Sequence, residues 1–256
     1  MQLPAPASSQ QTHKTTCPQS QIMNSFDSTI LTFVTQSAMH AGNLTRVVGF
    51  VVNAYLFKGV LPLAMLCAIW FDTREQRQWR REMVVATVLG GLLGLIIGRA
   101  LAYCLPFRTR PLYDLGLHLT FPIAATPEAV LRTWSSFPSD HAMMWAAIAT
   151  GIFLVSRWMG VLALLHCILF ICIPRVYLGL HYPTDVLVGV VLGVGVTYVV
   201  TRERIRMGFA PAVVRFIDRH SNVSYACLFV MMFELATMFD EPRALAAYML
   251  RLVHHS

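Results

Sequence analysis

The apolar residues of this chain come in blocks long enough to cross a membrane as helices. Crossing about 30 Å of hydrocarbon takes roughly 20 helical residues, and a helix satisfies its own backbone hydrogen bonds in lipid. Apolar residues make up 56% of the 256 residues and charged residues only 13%. The mean hydropathy is +0.57, which is typical of a membrane protein. The blocks predict spans over residues 47–71, 84–105, 140–155, 161–173, 185–200 and 224–238. We therefore predict an all-α, polytopic membrane bundle of about six transmembrane helices.

Two of these blocks contain residues that affect packing. Lys58 and Gly59 interrupt the first block and could divide it into two shorter pieces, and we interpret Lys58 as a side chain that extends to the membrane surface. In the second block, Gly90, Gly94 and Gly98 recur at four-residue spacing. One face of that helix can therefore approach a neighbouring helix closely.

The residues outside the blocks divide the chain into regions. Residues 1–22 are rich in Gln, Ser, Thr and Pro, which predicts a disordered lead-in. The segment Ser25–Met39 places apolar residues at roughly helical spacing, which predicts an amphipathic helix at the membrane interface, with a soluble cap helix as the alternative. We expect a membrane domain over residues 23–240 and a C-terminal tail over residues 241–256.

The basic residues predict the orientation of the bundle. The net charge is +7, but the basic residues lie mainly in short loops, so we expect a membrane and no nucleic acid as partner. Six spans put the arginines of residues 74–81, Arg157 and those of residues 202–219 on one side, which the positive-inside rule makes cytoplasmic. The loops over residues 106–138 and 174–184 then both face outward and can meet.

Each outward loop ends in a string that places a histidine at the start of a span. The strings are Phe137-Pro138-Ser139-Asp140-His141 and a segment containing Arg175, His181 and Asp185. Ser139 is a good N-cap residue, and the free amides of the first helical turn form a seat for phosphate. A guanidinium binds phosphate oxygens, and a carboxylate fixes the tautomer of an imidazole, which can then attack phosphorus. Arg108 and Arg110 add positive charge on the same side.

These strings resemble the motifs of the type 2 phosphatidic-acid phosphatase superfamily over roughly residues 84–200. That family has, in order, Lys, six residues and Arg-Pro; then Pro-Ser-Gly-His; then Ser-Arg, five residues, His, three residues and Asp. This chain supplies, in the same order and spacing, Arg110-Pro111, Pro138-Ser139-Asp140-His141, and Arg175 with His181 and Asp185.

The resemblance implies a role for each matching residue. His181 would be the nucleophile, Asp185 would orient it, and His141 would protonate the leaving oxygen. The implied phosphate ligands are Arg110, Ser139 and Arg175.

The chain departs from the family pattern at three positions, one of which is Pro174, where the third motif has serine. The lysine position, seven residues before Arg110, is Tyr103, and Arg99 or Arg108 could supply the missing charge. Asp140 replaces the glycine of the second motif, which leaves its backbone amide available to phosphate but adds a negative charge. This variant is similar to the undecaprenyl-pyrophosphate phosphatase branch of the superfamily.

We therefore expect a lipid phosphatase that removes phosphate from undecaprenyl pyrophosphate through a phosphohistidine, without metal or other cofactor. Its place would be the bacterial inner membrane, with the active site facing the periplasm or exterior, in the recycling of an envelope glycan carrier. Phosphatidate-type or broad-specificity lipid phosphatase activity is the first alternative. A haem-binding electron carrier and a lipid-phosphate transporter or scaffold are the rivals from other classes.

Overall fold

Helices account for all regular structure in the part of the chain that the computed structural model describes. These are residues 23–39, 42–54, 56–121 and 134–242, together with 245, 248 and 249. The predicted all-α class is confirmed. The lead-in over residues 1–22 and most of the predicted tail lie outside the described residues, so those boundaries stay predictions.

The helices follow one another with short connections, except between the fourth and fifth. The N-terminal half contains α1 (Ser25–Met39), α2 (Gly42–Asn53), a π-helical turn (Leu56–Val60), α3 (Leu61–Trp70) and α4 (Arg77–Cys104). The C-terminal half contains α5 (Asp140–Val155), α6 (Arg157–His166), a second π-helical stretch (Cys167–Cys172), α7 (Ile173–Tyr177), α8 (Pro183–Val200), α9 (Glu203–Arg219) and α10 (Ser221–Thr237).

Every predicted span is helical, but the lengths differ. Three helical segments are long and apolar enough to cross a membrane by themselves, namely Arg77–Cys104, Arg157–Tyr177 and Pro183–Val200. The first predicted span is a pair of helices, Gly42–Val52 and Leu56–Trp70, bent by 67°, and Lys58 and Gly59 lie in the π-helical turn after the bend. The remaining two spans correspond to the shorter apolar helices α5 and α10.

α5 is the central helix, and its position fixes the site. Residues 142–149 are all buried, because α5 packs between α4 and α8. The glycine face of α4 makes close approach possible, as predicted: a Cβ on Gly94 would lie 3.5 Å from the Met143 carbonyl oxygen, and one on Gly98 would lie 3.4 Å from the Asp140 Cα. A Cβ on Gly193 of α8 would collide with the same Met143 carbonyl. The start of α5 is therefore fixed between two helices.

The predicted N-terminal helix forms, and one of its faces packs on the protein itself. Asp27, Leu31 and Thr35 are buried, whereas Phe33 on the other face is 70% exposed. Leu31 packs in one cluster with Phe121 and Tyr182, which lie beside the start of α8. α1 therefore combines an exposed apolar face with a face that packs beside the start of α8.

Candidate active site

A tight loop between α7 and α8 presents His181. Gly179 adopts φ +67°, a conformation that glycine tolerates best, and a Cβ there would lie 2.6 Å from a ring carbon of Phe121. The turn brings the backbone N–H groups of Leu180 and His181 onto the carbonyl oxygen of Arg175, at 3.0 and 3.3 Å. His181 is consequently buried, with 2% of its surface exposed.

The hydrogen bonds of the His181 ring define its tautomer. Nδ1 lies 2.8 Å from the carbonyl oxygen of Ser136, which accepts a hydrogen bond, so Nδ1 carries the proton. Nε2 lies 3.2 Å from Nη1 of Arg110. Burial, and then the charge of Arg110, lowers the pKa of His181 well below its usual value. The ring is therefore neutral at neutral pH, with the lone pair of Nε2 towards Arg110.

Asp185, predicted to orient His181, is connected to it through another residue. Its carboxylate is 3.9 Å from Nδ1 of His181, too far for a hydrogen bond. It accepts hydrogen bonds from the Ser136 hydroxyl at 2.5 Å and from the Tyr182 backbone N–H at 2.9 Å. Ser136 thus connects the aspartate to the imidazole with its hydroxyl on one side and its carbonyl on the other.

Arg108, predicted to bind phosphate or replace the missing lysine, has other partners. Its guanidinium forms ion pairs with Asp185 and Asp27, donates to the Thr184 hydroxyl at 2.9 Å and lies 3.8 Å from the centroid of the Tyr182 ring. The phosphate-binding role of Arg108 therefore stays a prediction, and in this structure its guanidinium is already paired with two carboxylates.

Asp140 and Arg99 form a pair at the start of α5. Oδ1 of Asp140 accepts from His141 Nδ1 at 2.7 Å and from the His141 backbone N–H at 2.8 Å, and Oδ2 pairs with Arg99 at 2.7 Å. The Arg99 guanidinium also lies 4.3 Å from the centroid of the Trp134 ring. Asp140 was expected among the phosphate ligands, but its carboxylate is neutralised by Arg99 and orients His141. It also occupies the His141 amide that the sequence assigned to phosphate.

A cavity of about 200 Å³ is lined by His181 and by the Asp140–Arg99 pair. Arg110 and Trp134 also line it. Arg110 donates to the Leu180 carbonyl oxygen at 2.9 Å, and its Nε is buried without a hydrogen-bond partner among the described residues. Burial lowers the pKa of Arg110, although its guanidinium remains charged at neutral pH. The cavity therefore contains a cation with unused hydrogen-bonding capacity.

Two other predicted phosphate ligands, Ser139 and Arg175, are not among the residues that line this cavity. Ser139 occupies the N-cap position of α5, but its side chain makes no capping hydrogen bond, and its hydroxyl is buried without a partner in the described part of the chain. Arg175 lies close enough to interact electrostatically with Asp140 and Arg110. Tyr103, at the missing lysine position, is 80% exposed and contributes no charge.

Sequence reasoning missed Ser136, Asp27 and the location of Lys58. Ser136 lies two residues before the second motif. Its closeness to that motif is the one sequence signal that could have indicated a role. Asp27 lies about 80 residues from Arg108, so no local pattern connects them. Lys58 lies close enough to His141 to interact with it electrostatically, and its extension to the membrane surface stays a prediction.

Comparison with known proteins finds relatives named as phosphatases and one named as a transport permease. The bacitracin transport permease protein BcrC of Bacillus licheniformis is 32% identical over 162 residues, which are 63% of this chain and 72% of that protein. The undecaprenyl-diphosphatase of Sulfolobus acidocaldarius is 27% identical over 139 residues, which are 54% of this chain and 60% of that protein. The chain spans between 44% and 76% of the length of the curated relatives it matches.

One solved structure is also similar, that of a transmembrane PAP2 type phosphatidylglycerolphosphate phosphatase from Bacillus subtilis. It is 18% identical, covers 70% of this chain and 77% of its own, and has a TM-score of 0.35. At the level of sequence, residues 79–206 match the PAP2 superfamily, which is half of the 256 residues and includes all three motifs. This protein therefore belongs to the PAP2 superfamily.

Proposed function

We propose that this chain is a membrane lipid phosphatase in which His181 is the nucleophile. The observation that carries the proposal is the buried, neutral imidazole whose Nε2 lies beside Arg110 in a cavity lined by cations. A phosphate in that cavity would receive hydrogen bonds from Arg110, with Arg175 and Ser139 as further ligands. The lone pair of Nε2 would then lie next to phosphorus, as in-line attack requires.

The reaction would take two steps that share one proton donor. Nε2 of His181 forms a bond to phosphorus while the bond to the leaving oxygen breaks, and His141 donates a proton to that oxygen. Water then attacks the phosphohistidine and gives up its proton to His141. Because Asp140 binds Nδ1 of His141 at 2.7 Å, Nε2 is the atom left to exchange this proton.

The favoured substrate is undecaprenyl pyrophosphate. Two findings support it: relatives of similar sequence carry the name undecaprenyl-diphosphatase, and Asp140 stands where that branch also departs from the glycine. A phosphatidate-type lipid is the second candidate, because the arginines that line the cavity would bind the phosphate group of either lipid. The location that goes with the first substrate is the bacterial inner membrane, in recycling of the envelope glycan carrier.

Phosphate release by purified protein tests the activity and the substrate together. We expect inorganic phosphate from prenyl pyrophosphate at a higher kcat/KM than from prenyl monophosphate or phosphatidate, and none from the His181→Ala variant. One relative is named as a transport permease, and binding without phosphate release would support that class instead. The two acids of the site are already paired with arginines, so we expect activity to persist in a chelator.

The orientation has its own test. Thr120 is exposed in the loop before α5, so a cysteine placed there, in a background without the native cysteines, should react with an impermeant reagent outside intact cells. Reaction only after the membrane is opened would place the active site in the cytoplasm.

A further inference from the structure

α1 places a carboxylate in the interior directly behind the candidate site. Asp27 is fully buried. Its Oδ1 accepts from the Thr184 backbone N–H at 2.9 Å, and its Oδ2 accepts from the Thr184 hydroxyl at 2.7 Å and from Arg108 Nη2 at 2.8 Å. Burial of a carboxylate is costly unless it is paired and hydrogen-bonded. All three bonds go to residues that also contact or adjoin Asp185.

These contacts continue without interruption to the imidazole. The hydrogen-bonded series runs from Asp27 through Arg108, Asp185 and Ser136 to Nδ1 of His181. The start of this series lies in α1, outside the segment over residues 79–206 that matches the PAP2 superfamily. The series therefore connects Asp27 to the side of the ring opposite Nε2.

The charge of the series also favours the reaction. Two carboxylates, those of Asp27 and Asp185, flank the single guanidinium of Arg108. When Nε2 forms its bond to phosphorus, the electron pair of the broken bond leaves with the lipid oxygen, and Nδ1 keeps its proton. The phosphorylated ring then carries a positive charge, which an excess of buried negative charge stabilises.

We propose that Asp27 is a positioning residue for phosphoryl transfer. It fixes Arg108 and Asp185, and these two residues hold Ser136 against His181. It also adds negative charge that stabilises the phosphorylated ring. The proposal rests on the proposed nucleophilic role of His181. It makes α1 part of the functional unit.

Asp27→Asn tests the proposal because it removes the charge and keeps the size of the side chain. The measurement is the single-turnover rate constant for prenyl pyrophosphate with enzyme in excess, which does not depend on the fraction of protein that is correctly folded. We expect a decrease of at least about tenfold, comparable to the loss of an outer partner of a functional histidine. The same decrease is expected with p-nitrophenyl phosphate in steady state, since the nucleophile and not the leaving group is affected.

Two variants supply the controls. Thr35→Val alters another buried side chain of α1, whose hydroxyl bonds only to the helix's own carbonyl oxygens, and should keep the wild-type rate constant within about twofold. Asp27→Glu keeps the charge and should recover most of the rate that Asp27→Asn loses.

The outcomes separate the two proposals. A rate constant for Asp27→Asn within twofold of wild type, or an equal loss in Thr35→Val, overturns the positioning role while a dead His181→Ala leaves the proposed function intact. If the wild-type protein releases no phosphate, the proposed function itself is wrong.

Discussion

Each histidine of the site has an aspartate behind it, but the two aspartates act by different routes. Asp140 is the neighbour of His141 in sequence and binds its Nδ1 directly, and the two side chains are 15% and 16% exposed. Asp185 is fully buried and reaches His181 only through Ser136. The contact between Asp140 and His141 is local and partly exposed. The network between Asp185 and His181 joins four separate segments of the chain.

The difference suits the two proposed tasks. A nucleophile must be fixed to within about 0.5 Å of its productive position, and the buried network around His181 provides that rigidity. A residue that protonates the leaving oxygen and then takes a proton from the attacking water must be reached by that water, and the greater exposure of His141 permits this. We therefore expect effects of different size from matched variants of the two histidine–aspartate pairs.

The largest effect is expected from the nucleophile itself. His181→Ala removes the atom that would form the bond to phosphorus, so turnover of lipid and aryl phosphates should both fall by at least about 10⁴-fold. A phosphoenzyme trapped by acid quench from the wild-type protein should be absent. Residual turnover of p-nitrophenyl phosphate at a tenth of the wild-type rate would contradict the assignment.

A smaller and substrate-dependent effect is expected at His141. A lipid alkoxide leaves poorly unless it is protonated, whereas p-nitrophenolate leaves without help, so His141→Ala should lower kcat for a lipid monophosphate by roughly 10²- to 10⁴-fold and for p-nitrophenyl phosphate much less. A pyrophosphate should lie between. Equal losses for all three substrates would show that the two histidines do not divide the work in this way.

The two aspartates should also differ in their contribution to stability. Asp185→Asn removes a fully buried carboxylate that pairs with Arg108, which costs roughly 3–5 kcal/mol, whereas Asp140→Asn, which removes a partly exposed carboxylate, should cost about 1 kcal/mol. Thermal unfolding in detergent measures both. Equal shifts in Tm would mean that the difference in burial between Asp185 and Asp140 does not affect their contributions to stability.

The same comparison explains what the sequence could predict. The span positions follow from apolar block length, and the residues near the two histidines follow from short strings, so both are readable locally. The pairing of Asp140 with Arg99 joins α4 to α5, and the pairing of Arg108 with Asp27 joins a loop to α1. Such contacts depend on how helices pack, so the sequence did not show that Arg108 and Asp140 are paired with these partners.

The smallest predicted effect concerns the pH dependence of kcat/KM that arises from His181. His181 attacks only when Nε2 is unprotonated, and burial, followed by Arg110, lowers its pKa well below the usual value. The active form therefore persists as the pH falls, and the acid limb of kcat/KM should lie below about pH 6.5, the ordinary histidine pKa.

Arg110→Gln removes the second cause, the charge of Arg110, so the acid limb of this variant should move up towards about pH 6.5, while the rate also falls. Arg110→Lys keeps the cation and serves as the matched control, with its limb closer to the wild-type position. The shift is small because burial, the larger cause, remains in both variants, and the titration of the substrate is common to all three proteins. An acid limb that stays in place in Arg110→Gln would show that the guanidinium does not act on the imidazole, and the charge of the cavity would then have to be assigned to phosphate binding alone.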